Sequence, residues 1–330
     1  MNDFTVRPYR AEDARIWNEF VARSRNGTFL FDRGYMDYHT DRFADGSLIV
    51  SAGKRIVALF PANRTEGRLA SHDGLTYGGL VVGPRATAAT VLGAFDALCA
   101  HCRETGIGRL FYKAMPSIYH RRPAQDDLYA LFRHDARLVR RELLPVIEPG
   151  DISPNDGRRS YIRQAQAAFP GAVGPSDDWA GFWDVLAGRL EDRYATRPTH
   201  SLDEIRLLAG RFPDEIGLRV GRLGGRIAAG LVLYETATVV HAQYMAADDE
   251  ARGVGVLDGV VMAAVEEARA KGKWFDFGIS TEDDGRFLNE GLAAYKESFG
   301  GRSVVHDFYE LGPVAAVDTA RLANRRAEPN

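Results

Sequence analysis

The chain has 330 residues, enough for two domains of about 150 residues each, with 45% apolar and 26% charged residues as in ordinary globular proteins. Its formal net charge of −3 excludes a strongly basic surface for nucleic acid or an anionic membrane. No apolar run approaches the ~18 residues that span a bilayer, and the first residues lack the order of a signal peptide. We therefore expect a cytoplasmic protein with no membrane insertion and no nucleic-acid partner.

The first half reads as alternating strands and helices. Turn residues and apolar periodicity predict a hairpin, a glycine-rich strand, a helix, a strand, a helix and a strand. In order, these elements are Ser47–Ala52, Arg55–Ala62, Gly74–Val82, Val91–Arg103, Arg109–Ala114, Asp127–Phe132 and Arg141–Ile147. Cys99 and Cys102 share the apolar stripe of the predicted helix, and no second ligand pair for zinc follows, so we expect buried thiols.

A polar segment, EPGDISPNDGRR, predicts a domain boundary near residues 150–157, and the second half then repeats the order of elements. Two predicted helices precede a hairpin at Gly224-Gly225, a third strand, a helix, a buried strand, a helix and a last strand. In order, these elements are Tyr161–Ala168, Trp179–Arg193, Ile216–Leu223, Arg226–Tyr234, Val239–Ala246, Leu257–Ala268, Trp274–Ile279, Leu292–Phe299 and Ser303–Leu311.

This repeated order resembles the GNAT acyltransferase superfamily in its tandem-domain branch, which includes Fem-type transferases and sugar N-acyltransferases of surface polysaccharide pathways. The segments that carry the resemblance are RPTHSLDEI, HAQYMA, FDFGIS and LNEGLAAYKESFGG. It implies an α/β (α+β) fold of two tandem GNAT-like domains, each a central mixed sheet flanked by helices. The expected limits are 1–150 for the acceptor-side domain, 158–312 for the acyl-CoA domain and 313–330 for a tail.

The resemblance implies a donor site between two strands that part from each other, Val239–Ala246 and Trp274–Ile279. The donor pyrophosphate would lie on the turn formed by Arg252, Gly253 and Gly255, since a helix N-terminus favours an anion. That turn departs from the family pattern, because Leu257 stands where glycine or alanine is expected.

Further residues are assigned to donor binding and to proton transfer. Ser280, at the mouth of the buried strand, and Lys296, as a partner for phosphate, are candidate donor contacts. Histidine is the natural general base near neutral pH, and His72 and His241 are equally favoured. Tyr295 resembles the tyrosine that protonates the leaving thiolate in many GNAT enzymes, and a core aromatic residue is the alternative.

Six residues are candidates for contact with the acceptor. They lie in the glycine-rich segment of the first half, in the RPTHSLDEI and HAQYMA segments, and in the acidic loop that follows the buried strand. The residues are Asp73, Tyr77, His200, Tyr244, Glu282 and Asn289.

The resemblance therefore predicts an acyltransferase of the acyl-CoA-dependent type. Its acceptor would be the primary amine of an amino sugar, free or nucleotide-linked, in surface glycan synthesis. One alternative is a Fem-type transferase that uses aminoacyl-tRNA, although no Lys/Arg-rich stripe for RNA is present. Another is a non-catalytic binding module. Acyl-CoA is the expected co-substrate, no metal constellation is apparent, and the oligomeric state is not readable from the sequence.

Overall fold

The computed structural model describes residues 3–150 and 153–312, which form two compact units. Unit 1 contains residues up to Arg141 and those from His306 onward, and unit 2 contains Glu142–Val305. The predicted tail, 313–330, lies outside the described residues. The predicted domain limits stay a prediction.

Unit 1 begins with a strand and two helices and continues mainly with strands. Short 3₁₀ turns also occur, at Ala11–Asp13, Phe29–Phe31, Asp37–His39 and Ser117–Tyr119. The elements are β1 (Phe4–Pro8), α1 (Ala14–Arg23), α2 (Arg33–Met36), β2 (Leu48–Ala52), β3 (Arg55–Phe60), β4 (Asn63–Thr65), β5 (Arg68–Ala70), β6 (Val81–Val82), α3 (Ala88–Glu104), β7 (Arg109–Lys113), α4 (Asp126–Arg133) and the first half of β8 (Arg137–Ile147).

The strands of unit 1 form two groups around one core. The order β1-β2-β3-β6 is antiparallel throughout, whereas β5 and β7 pair in parallel beside β4. The apolar face of α3 packs into this core through Val91, Phe95 and Leu98. Cys99 and Cys102 are fully buried on the same face, which confirms the prediction of buried thiols.

The glycine-rich strand predicted at Gly74–Val82 is wrong except at its end, where β6 covers only Val81–Val82. The preceding segment folds as a loop around the ammonium of Lys113, which donates to the carbonyls of His72, Asp73 and Leu75. Carbonyls directed at one buried cation cannot also face a neighbouring strand. The glycines therefore permit the loop, as Gly79 does with a φ of 86°.

Unit 2 alternates helices and strands. Its elements are the second half of β8, α5 (Asp156–Ala168), β9 (Val173–Pro175), α6 (Trp179–Tyr194), α7 (Leu202–Arg211), β10 (Ile216–Leu223), β11 (Arg226–Glu235), β12 (Val239–Ala247), α8 (Asp249–Gly253), α9 (Val256–Ala270), β13 (Trp274–Asp276), β14 (Thr281–Glu282), β15 (Phe287–Leu288), α10 (Glu290–Glu297) and the first part of β16 (Arg302–Leu311).

The sheet of unit 2 has the order β8-β13-β12-β11-β10-β9. Its β12–β13 pair is parallel, and the other pairs are antiparallel. The predicted hairpin at Gly224-Gly225 is confirmed, and both glycines have the positive φ of its turn. A capping box between Ser201 and Glu204 begins α7.

Helix α9 covers one face of this sheet, and this packing explains the apolar stripe of the helix. Val260, Val261, Ala264 and Val265 are buried against residues of β11, β12 and β13. The predicted mixed α/β class, with helices flanking the sheets, is confirmed. Within the described ranges no helix has the length and apolar character needed to cross a membrane.

Candidate active site

The candidate site begins where β12 and β13 part. Their parallel ladder holds only three pairs, and it ends at His241 opposite Asp276. Beyond this point β12 continues to Ala247, whereas β13 stops. A gap therefore opens beside the second half of β12.

The chain that leaves β13 follows β8 instead of β12. Phe277 and Ser280 donate their backbone N–H groups to the carbonyls of Pro145 and Leu143. The strand predicted to reach Ile279 therefore ends three residues earlier, at Asp276. The cause is local: Gly278 adopts a φ of 74°, and its N–H is held by the Asp276 carboxylate at 2.7 Å.

His241 and Asp276 form a buried pair at the end of the ladder. Nδ1 of His241 lies 3.0 Å from Oδ2 of Asp276, whose side chain is completely buried. A carboxylate at Nδ1 favours the tautomer with the Nδ1–H, which leaves the lone pair on Nε2. The pair is therefore arranged to accept a proton at Nε2.

A β-bulge lies two residues beyond His241. The register of β12 against β11 shifts between the pairs Val232–Tyr244 and Leu233–Ala242, so Gln243 is the extra residue. A bulge leaves its extra residue without a ladder partner and re-aims the side chains that follow. On the opposite edge of β12, the ladder with β13 has already ended at His241, so no described strand pairs there with the last residues of β12.

The gap leads into a cleft of about 470 Å³. Its walls come from α6, the end of β12, the end of α8, the start of α9, and α10. The lining residues are Leu186, Arg189, Leu190, Met245, Ala246, Ala247, Arg252, Leu257, Asn289, Gly291, Leu292 and Tyr295. The walls are mainly apolar, with two arginines, which suits an acyl chain or pantetheine arm that ends in anionic groups.

The predicted phosphate turn lies at one end of this cleft. Gly255 begins α9 with a φ of 78°, and no side chain caps the helix there. Tyr161 of α5 holds the turn by donating to the carbonyls of Arg252 and Gly253. Arg252 itself is exposed and has no ion-pair partner among the described residues. The turn therefore offers a helix N-terminus and an available guanidinium.

A buried network lies in the first turn of α9. Asp258 accepts from Arg158 at 2.5 Å and from the Tyr295 hydroxyl at 2.9 Å. Burial, followed by the charge of Asp258, raises the pKa of Tyr295 well above its ordinary value. The hydroxyl proton of Tyr295 is thus donated to Asp258 in a hydrogen bond. The ring of Tyr295 forms part of the cleft wall.

Lys296, predicted to meet phosphate, is instead buried next to the His241–Asp276 pair. Its ammonium donates to the carbonyls of Gly278 and Ile279 at 3.0 and 2.5 Å. Burial lowers the pKa of Lys296 to about 8, although the charge of Asp276 opposes this effect. Ser280 is also buried, and its hydroxyl contacts no polar group in the part of the chain that is described.

The second-half candidates for acceptor contact fall into two pairs. The Tyr244 hydroxyl lies 2.6 Å from Nδ1 of His200, and both residues are largely buried beside α7. Asn289 caps α10 and donates to Glu282 at 2.7 Å. Only Asn289 of these four lines the cleft.

The first-half candidates lie in unit 1, where each has an internal partner. The His72 ring packs against His39 and Phe43, and burial is the main cause that lowers its pKa to about 3. Asp73 is held by Arg68, and Tyr77 is buried and bonded to Thr28. A histidine that is such a weak base has little driving force to take a proton near neutral pH.

The sequence analysis did not identify three residues of the candidate site, which are Asp276, Asp258 and Arg158. Asp276 interrupts the apolar run WFDFG, and an acid in a buried strand is a signal of a polar partner. Asp258 lies on the apolar stripe of α9 and carries the same signal. Arg158 lies in a polar helix, so its sequence context gives no such signal.

Comparison with known proteins bears on the fold of the chain. Residues 156–297, less than half of the chain, match the family model described as an acetyltransferase (GNAT) domain. No curated protein sequence matches the chain. Solved structures with a similar fold include the following three.

FemX has a TM-score of 0.66 at 11% identity and covers 96% of this chain and 99% of its own. The C-terminal domain of a putative lysylphosphatidylglycerol synthetase from Agrobacterium fabrum has a TM-score of 0.60 at 14% identity, with 95% and 96% covered. A tandem GNAT protein from the clavulanic acid biosynthesis pathway has a TM-score of 0.50 at 12% identity, with 94% and 99% covered. At these identities the likeness shows the fold alone, which is that of GNAT-type acyltransferases, as predicted.

Proposed function

We propose that the chain is an N-acyltransferase that moves an acyl group from acyl-CoA to a primary amine. The observation that carries the proposal is the parting of β12 and β13 at the His241–Asp276 pair. The cleft and Arg252 follow farther along the same segment. From His241 to Met245 the strand rises by roughly 13 Å, which separates the proton acceptor from the apolar walls of the cleft.

In the proposed reaction the amine nitrogen attacks the thioester carbonyl. The new C–N bond forms as the C–S bond breaks, the sulfur leaves as the thiolate of CoA, and Nε2 of His241 takes the proton lost by nitrogen. Asp276 orients the imidazole and stabilises its charged form. Backbone N–H groups near the bulge at Gln243 are the candidates to stabilise the oxyanion.

The donor would lie in the cleft with its phosphates at Arg252 and Gly253, at the end of α8, and at the N-terminus of α9, where Gly255 is the N-cap. A guanidinium and free helical N–H groups together favour an anion. The mainly apolar side chains contributed by α6 and by Met245 would contact the pantetheine arm and the acyl chain.

For the acceptor we propose an amino sugar, free or nucleotide-linked, on the resemblance to sugar N-acyltransferases. The exposed carboxylate of Glu282, joined to Asn289 at the cleft, is the candidate contact for its ammonium before proton loss. Ser280, with a buried hydroxyl, is the candidate for a sugar hydroxyl.

One observation favours a second donor. Leu257 lines the cleft next to the helix N-terminus, where a pyrophosphate would approach the backbone, and Asp258 adds a carboxylate in the same turn. An aminoacyl ester, as in aminoacyl-tRNA, needs no pyrophosphate at this point. Fem-type transfer, in which a C–O bond breaks instead, is therefore the alternative.

Calorimetric titration with acetyl-CoA and CoA tests the donor. We expect micromolar binding by the wild type and a loss of roughly 10- to 100-fold in Arg252→Glu, because a charge-assisted hydrogen bond contributes about 1.5–3 kcal/mol. Arg163→Glu is the matched control, since Arg163 is exposed on α5 and lines none of the clefts described. It should bind as the wild type does.

Thiol release with a panel of amino sugars then tests the transfer. His241→Asn should lower kcat by about 10²- to 10⁴-fold while donor binding stays intact. No binding at millimolar CoA would contradict the acyl-CoA donor, and transfer from charged tRNA would then support the alternative. Failure of both donors would leave a non-catalytic module.

A further inference from the structure

Lys296 and Asp276 hold the two peptide groups on either side of the Gly278 Cα. The carbonyl of Gly278 accepts from Nζ of Lys296, and the N–H of Gly278 is donated to Oδ1 of Asp276. The other carboxylate oxygen, Oδ2, contacts Nδ1 of His241. These hydrogen bonds, linked through the backbone of Gly278, therefore connect a buried ammonium on α10 to the imidazole on β12.

The Gly278 backbone also lies close to the imidazole. A Cβ built on Gly278 would lie 3.6 Å from Cε1 of His241, so glycine at this position keeps the space beside the ring free of a side chain. Gly278 has a positive φ, which glycine adopts without strain. The bonds from Lys296 to the carbonyls of Gly278 and Ile279 fix the direction of these carbonyls beside the ring.

The charged and titratable groups around His241 come from three elements. Asp276 of β13 is bonded to it, Lys296 of α10 adds a cation that interacts with Asp276, and Tyr234 of β11 is its cross-strand neighbour. Lys296 therefore places a positive charge near Asp276 in this cluster.

We propose that Lys296 is a positioning residue for the reaction: it fixes the backbone at Gly278, which holds the Asp276 carboxylate, and thereby the orientation and charge of His241. This inference rests on the proposed function for its catalytic meaning. The hydrogen-bond series itself can be tested without any substrate.

Three variants separate the two roles of Lys296. Lys296→Arg keeps the cation, Lys296→Gln keeps a donor for the carbonyls without charge, and Lys296→Met removes both. Lys271→Met is the matched control, because Lys271 forms only a half-exposed ion pair with Glu235. Thermal unfolding of all four proteins establishes that each is folded.

The first readout is independent of activity. In protein labelled with ¹⁵N-histidine, the Nδ1–H of His241 bonded to Asp276 should give a downfield proton signal, assigned by its loss in His241→Asn. We expect the signal to persist in Lys296→Arg and Lys271→Met and to be shifted or lost in Lys296→Met. A signal unchanged in a folded Lys296→Met protein would overturn the inference, whatever the fate of the proposed function.

The second readout is the pH profile of kcat/KM for acyl transfer. Without the nearby cation the protonated imidazole is favoured, so the acid limb should move to higher pH in Lys296→Gln and stay in place in Lys296→Arg. We expect kcat to fall at least tenfold in Lys296→Met with KM little changed. Wild-type profiles in all three variants would refute the role, whereas a wild type inactive with every donor would refute only the proposed function.

Discussion

A buried carboxylic acid in unit 1 should make the protein less stable as the pH rises. Asp127 lies at the start of α4, and its Oδ2 accepts from the Tyr112 hydroxyl at 2.5 Å. That hydroxyl in turn accepts the N–H of Leu80 at 2.7 Å. Burial, opposed by the hydrogen bond from Tyr112, raises the pKa of Asp127 from 3.8 to about 6.

The sign and size of the effect follow from linkage. Because the folded protein holds this proton more tightly than the unfolded chain, its stabilisation is complete below pH 3.8 and is lost as the pH rises through about 6. A difference of about 2.2 pKa units corresponds to about 3 kcal/mol over the whole range. Between pH 5 and pH 8, the free energy of unfolding that Asp127 contributes should fall by about 1.4 kcal/mol.

Urea unfolding of the wild type and Asp127→Asn at several pH values between 5 and 8 measures this loss. The difference in unfolding free energy should change by about 1.4 kcal/mol in favour of the amide as the pH rises. Asp41→Asn, at a carboxylate with 79% of its side chain exposed, is the control and should follow the wild type. A difference between wild type and Asp127→Asn that is independent of pH would refute the reasoning.

Two further predictions concern buried groups. Asp258→Ala should lower the free energy of unfolding by about 3–5 kcal/mol, because it leaves the guanidinium of Arg158 without its buried partner. Urea unfolding checks this, and a double change to Arg158→Met and Asp258→Leu should recover part of the loss. Cys99 and Cys102 should resist a thiol reagent in the native state, since burial raises their pKa values to about 12 and 11. Labelling of native protein at the rate seen in urea would contradict that prediction.

Periodicity predicted the elements whose side chains alternate between core and surface. Strands β10, β11 and β12 and helix α9 lie within two residues of the predicted limits, since each buries one regular apolar face. The hairpin turn followed from Gly224-Gly225 for the same local reason. Such features depend on residues close together in the chain.

The candidate site depends on residues far apart in the chain. His241 meets Asp276 across 35 positions, and Asp258 meets Arg158 across 100. The acidic loop after β13 is in fact a small hairpin, β14–β15, whose turn places Asp283 and Asp284 at positive φ. Neither the His241–Asp276 pair nor the Asp258–Arg158 pair leaves a periodic signal in the sequence. The sequence could therefore suggest His241 but not its partner.

Two neighbouring residues of α10 connect the ends of the proposed site. The hydroxyl of Tyr295 holds Asp258 at the start of α9, where an anion would bind, and the ammonium of Lys296 holds the peptide beside His241. Side chains one position apart on a helix point about 100° from each other, so one short helix can reach both places. A shift of α10 would therefore change the anion end and the proton-accepting end together. For that reason, loss of donor affinity and loss of turnover in one α10 variant would indicate displacement of the helix, whereas loss of turnover alone would indicate a role at His241.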